Sequence, residues 1–109
     1  MQLLITTQIQ ENYGAHDWDG EGECPQYWKF KGGQDYKFDL GTTLRNAESL
    51  AQLVEHFRGQ IDVDNQAFRE YIIGWDVVAD DFLTEFEQSH LDYEGRIAYP
   101  ATRLELETV

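Results

Sequence analysis

Gln26-Tyr27-Trp28-Lys29-Phe30-Lys31-Gly32-Gly33-Gln34-Asp35-Tyr36-Lys37-Phe38-Asp39-Leu40 sets two alternating aromatic runs around a pair of glycines. Side chains alternate between faces in a strand, so each run reads as a strand with one apolar face. The glycine-bearing junction predicts a β-hairpin. In that register Trp28, Phe30, Tyr36 and Phe38 point into the core, and Lys29, Lys31 and Lys37 line the outer face.

Upstream, Leu3, Ile5, Thr7 and Ile9 alternate with Gln2, Thr6, Gln8 and Gln10, which predicts a first strand with one buried face. A polar, glycine-bearing loop follows from about Glu11 to Pro25. Downstream, Ala47, Leu50, Ala51, Val54 and Phe57 recur at helical spacing, predicting a helix over Thr42–Arg58 that Gly59 ends. Arg69–Val78 returns to period two, with Tyr71, Ile73, Trp75 and Val77 on one face and Ile72 and Val78 on the other. Asp80 and Asp81 stand where an N-cap belongs, ahead of Phe82, Leu83, Phe86 and His90 on one stripe of a second helix that Gly95 closes. Thr102, Leu104 and Leu106 alternate with charged neighbours in a last strand, Ile97–Glu107. The order β-β-β-α-β-α-β predicts one α+β domain over residues 1–109: a mostly antiparallel sheet of about five strands under two helices.

Composition agrees with a folded chain. Hydrophobic residues make up 41% of 109 residues, and fifteen are aromatic, which is enough apolar surface to offset ordering entropy. Cys24 is the sole cysteine, so no intramolecular disulfide and no multi-thiolate zinc site can form. No stretch approaches the roughly 20 apolar residues that span a bilayer, and the opening Met1–Ile5 lacks the pattern of a secretory signal. A cytoplasmic protein is expected.

Charge is the strongest functional signal. The chain carries 21 acids against 8 bases, a net of −13, and twelve acids against three bases fall in residues 62–109. Asp76, Asp80, Asp81, Glu85, Glu87, Asp92 and Glu94 occupy one stretch that has no Lys or Arg between them. Carboxylates at i, i+3 or i+4 on a helix stand ~5–6 Å apart. Such a face offers a DNA-binding partner a copy of a phosphate backbone, with one charge per ~1.7 Å of duplex. A solvated face that serves solubility is the simpler account of any charge run. Three lysines cannot hold nucleic acid against the net charge, so direct binding to DNA or RNA is excluded as an expectation. A membrane partner is excluded likewise, because anionic lipid repels this surface.

Two further groups bear on function. Tyr13 and Trp18 lie in the polar loop, where exposed aromatics beside acids make interface anchors or else cover an open core edge. Asp17-Trp18-Asp19-Gly20-Glu21-Gly22-Glu23 resembles the start of a calcium loop, with Asp17, Asp19, Glu21 and Glu23 as candidate ligands. The match fails at the twelfth position, where Trp28 replaces a bidentate Glu. His16 with Cys24 lacks any second cysteine or supporting motif, so nucleophilic catalysis is not expected.

The block Thr6-Thr7-Gln8, Glu11–His16 and Cys24–Gly33 resembles the opening of small acidic proteins encoded by tailed phages and plasmids. The resemblance covers the first third of the chain and brings no catalytic residue with it. It implies a context in which short acidic proteins inhibit host defence enzymes, some by imitating DNA. The expectation is a cofactor-free binding protein, not an enzyme: an anti-restriction or anti-CRISPR inhibitor in the basic groove of a host nuclease or other DNA-binding protein. The alternatives are a small metal-binding protein using the Asp17–Glu23 loop and a homodimeric accessory protein.

Overall fold

The computed structural model describes residues 1–41 and 46–106 and is α+β. Strand β1 (Gln2–Asn12) runs through the middle of the sheet. On one side it pairs antiparallel with β5 (Phe68–Val78), which carries the two-residue β4 (Val63–Asp64) on its outer edge. On the other it pairs antiparallel with β2 (Trp28–Phe30) and then β3 (Asp35–Asp39), and β6 (Thr102–Arg103) lies parallel to β3. Leu3, Ile5, Thr7 and Ile9 are buried along one face of β1, as their alternation predicts.

The expected hairpin does not form. β2 and β3 run in the same direction along the same edge of β1, and the ladder continues between them: Ile9 N donates to Gly32 O at 2.8 Å and Thr7 N to Gln34 O at 3.0 Å. Thr6 pairs with Asp35 and Gln10 with Phe30, so the outer chain holds one extra residue, a β-bulge. The glycines serve this bulge. Gly32 has φ +90°, and a Cβ on Gly33 would stand 1.9 Å from Thr7 O. A single extra residue reverses which face each side chain takes. Tyr36 and Phe38 therefore pack on the core, while Phe30 is exposed and Trp28 is only half-buried. Lys37 lies opposite the core as expected, yet it is buried.

A second bulge lies across β1 from the first. Thr6 pairs with Gly74 and Thr7 with Ile72, leaving Ile73 unpaired. The face expected to hold Tyr71, Ile73, Trp75 and Val77 together is thereby split. Glu70 and Ile72 before the bulge, and Trp75 and Val77 after it, share the face of Leu3 and Ile5, whereas Ile73 is exposed.

Helix α1 (Ala47–Ile61) covers that face. The Asn46 side chain caps it by accepting from Ser49 N at 2.8 Å; the predicted start, 42–45, lies outside the described residues. The buried stripe is Leu53, Val54, Phe57 and Ile61, so Ala47 and Ala51 face outward. The helix continues through Gly59, because burying Ile61 offsets the ~1 kcal/mol a helical glycine costs. The core is Leu3, Ile5, Leu40, Leu53, Val54, Phe57, Ile61 and Ile72.

The second predicted helix shrinks to α2 (Glu85–Ser89). Its N-cap is Thr84 in a capping box with Glu87, not Asp80 or Asp81, and Gly95 closes a turn after the helix has ended. Among the described residues the last strand covers only Thr102–Arg103; Glu107 lies outside them. The molecule measures 53 × 40 × 24 Å with a radius of gyration of 17.1 Å, against ~13 Å for a compact domain of this length. This thin, open shape leaves large apolar side chains at the surface.

Candidate partner-binding surface

Residues 79–101 lie across the sheet face opposite α1, and polar contacts hold them there. Lys37 on β3 reaches Glu87 Oε1 at 2.8 Å and donates to Phe82 O at 2.7 Å. Glu87 also accepts from Thr84 N at 3.0 Å and Ala101 N at 3.1 Å. Gln2 Nε2 donates to Asp80 O at 2.8 Å. Burial alone would raise the Glu87 carboxyl, but Lys37 and the two backbone N–H groups outweigh it and hold the pKa below the ordinary value.

The acidic stretch is accordingly divided. Glu87 is 2% exposed and faces Lys37, so it cannot meet a partner. This corrects its sequence assignment to the binding surface; its place as N3 of the capping box turns it inward. Asp92 and Glu94 are drawn to Arg96, which lies just beyond the acidic run. Asp92 Oδ2 accepts from Arg96 Nε at 3.0 Å, and Glu94 Oε2 lies 3.0 Å from Arg96 Nη2. The Arg96 backbone N–H, more than any other contact, holds the Asp92 carboxyl low. Asp80 Oδ1 lies 2.7 Å from the Met1 amino group. Among the described residues Asp76, Asp81 and Glu85 are exposed and carry no ion pair. Of these three only Glu85 stands on a helix, so the helical carboxylate ruler is not built; Asp76 lies within β5 and Asp81 sits in the turn that follows the strand.

The loop aromatics are engaged within their own neighbourhood. Tyr13 is half-buried beneath Lys31, 4.8 Å above its ring, and Lys29 at 5.2 Å. Trp18 Nε1 donates to Glu21 O at 3.2 Å. The outer-face lysines do not form one cluster, because Lys37 is committed to Glu87. Asp17, Asp19, Glu21 and Glu23 do not converge: among the described residues no three His, Cys, Asp or Glu side chains come together to hold a metal. Asp19 instead accepts from Glu21 N at 3.0 Å, a local turn. His16 pairs with Glu11 at 2.7 Å and not with Cys24, which is buried beside Asn12.

Sequence reading missed a cleft of about 240 Å³ where three segments meet: Gly33–Asp35 from the bulge, Thr84–Glu87 from the α2 start, and residues 99–102. Phe86 and Tyr99 form its exposed aromatic wall, 54% and 61% accessible, with ring centroids 6.3 Å apart. His90 braces both, stacked on Phe86 at 4.2 Å and edge-on to Tyr99 at 5.6 Å. Asp35 also lines the cleft; Thr6 Oγ1 donates to its Oδ1 at 3.4 Å, and it has no ion pair among the described residues. In the sequence Phe86 and His90 belong to the expected apolar stripe of the second helix, and Tyr99 is the one wall aromatic without a place in the expected core.

Among the described residues no helix is long and apolar enough to cross a membrane. Comparison with known proteins finds no matching family model, no matching curated protein and no matching solved structure.

Proposed function

We propose that this protein acts by binding a basic partner, best read as the phosphate-binding groove of a host nuclease of restriction or CRISPR type or another DNA-binding protein. The observation that carries this reading is the division of charge across residues 76–96. Lys37 and Arg96 are occupied by Glu87, Asp92 and Glu94, which leaves Asp76, Asp81 and Glu85 projecting into water. With a net charge of −13 behind them, these carboxylates create a field that attracts cationic grooves and speeds encounter. They occupy the place of phosphates electrostatically, without the regular helical spacing of a duplex. Catalysis has no comparable support.

The test is a pull-down from a host lysate on immobilised protein with a salt step, followed by inhibition assays on the nuclease recovered. The triple variant D76N/D81N/E85Q should keep its fold and release or fail to capture the partner at low salt. Full inhibition by that variant would sink this mechanism. Glu87 must be left intact, since its removal would destabilise the fold and mimic a loss of binding.

A further inference from the structure

We propose that the cleft lined by Asp35, Phe86 and Tyr99 is a receptor for one arginine side chain of the partner, a reading that rests on the proposed function. Its volume, about 240 Å³, falls below the ~300 Å³ at which small-molecule pockets begin, so it suits a single side chain. Two exposed aromatic rings and a carboxylate lining the same cleft satisfy both halves of a guanidinium. The planar group stacks on the rings, and its N–H fork meets Asp35.

Other occupants fit less well. An anion would meet Asp35 and the net charge of −13. An apolar side chain would desolvate Asp35 without pairing it. Lys37, two residues along β3 from Asp35, is spent on Glu87 and the Phe82 carbonyl. Lysine carries the charge but lacks the planar fork and stacks less well. Phe86, His90 and Tyr99 hold one another in place, so the wall exists before the ligand arrives.

The experiment is an NMR titration of the full chain with the blocked peptide acetyl-Gly-Arg-Gly-amide, alongside matched lysine and citrulline peptides. Saturable shifts at Gly33–Asp35, Phe86 and Tyr99, strongest for arginine and absent for citrulline, are the expected result. Y99A should weaken binding by about fivefold, and D35N by about tenfold or more. Neither side chain belongs to the core, and F86L offers a second wall variant if Y99A perturbs the spectrum. Shifts that fail to saturate and spread over Asp76, Asp81 and Glu85, or an equal response to citrulline, would overturn the assignment. No nuclease is present in this titration, so such an outcome removes the cleft alone. Inhibition that survives neutralisation of Asp76, Asp81 and Glu85 removes the functional reading alone.

Discussion

Lys37 Nζ stands 2.8 Å from Glu87 Oε1, with side chains 9% and 3% exposed, and this pair ties the segment bearing the acids and the cleft to the sheet. Removing one partner strands a buried charge, so K37M or E87Q should cost about 3–5 kcal/mol. Replacing both with apolar residues of similar size, K37M/E87L, should recover most of the loss. Chemical denaturation of the three variants measures this, and a double variant no better than either single would contradict it.

The same pair sets an acid limit. The Glu87 carboxyl is held below its ordinary value when folded, so the native state favours the ionised form. Its contribution is present above the unfolded pKa of about 4.3 and fades as pH falls through the lower folded value. Melting temperature should drop on acidification through this window, and E87Q should flatten that part of the profile.

Tyr36 sets an alkaline limit. Burial first, then the hydrogen bond its hydroxyl donates to Glu70 Oε2 at 2.7 Å and the charge of Glu70, raise its pKa well above the usual tyrosine value. The neutral form is favoured in the fold, so its contribution is full below the unfolded pKa of about 10 and fades as pH rises toward the folded value. Thermal melts between about pH 9 and 11.5 should show a steeper decline for the parent than for Y36F.

Gly33 separates the bulge from the hairpin. With a Cβ 1.9 Å from Thr7 O, G33A should destabilise by about 2 kcal/mol or more, as overpacking against backbone does. In a hairpin turn the same change would be mild. Urea midpoints for G33A and the control G59A distinguish the two; Gly59 has open space around it, and G59A should be neutral or stabilising.

Asn12 pins three segments. Its Nδ2 donates to Pro25 O at 2.9 Å and Gln66 O at 2.8 Å, and its Oδ1 accepts from Gly14 N at 3.0 Å and Tyr27 N at 2.8 Å. N12A should orphan these groups at about 1–3 kcal/mol each where they stay dry. Hydrogen exchange should quicken at Gly14 and Tyr27 before it does in α1.

β1, the extent of β5 and the body of α1 were legible in the sequence, because side-chain periods are local. Leu3, Ile5 and Ile9 keep period two over an uninterrupted strand, and Val54 and Phe57 keep the helical period. The α+β class follows from these elements alone. The capping box Thr84–Glu87 was also written in the chain, but Asp80 and Asp81 offered an equally good local cap. Where the helix began was decided by Lys37, a residue on β3 that accepts no local substitute.

What the sequence determined by itself was composition-level and period-level: a folded α+β chain, its excess of negative charge, and which stretches alternate or spiral. What only the tertiary structure decided was the use of each ambiguous residue. Gly32 and Gly33 permit a turn or a bulge equally, and the ladder to Ile9 and Thr7 selects the bulge. Acids that look alike in a row become a buried anchor, an Arg96 pair or an exposed charge according to which cation the fold brings near. The cleft unites residues 33–35, 84–87 and 99–102, and proximity of that kind has no period to announce it. Local conformation is written in short-range sterics and spacing, whereas burial and pairing depend on contacts between segments distant in the chain.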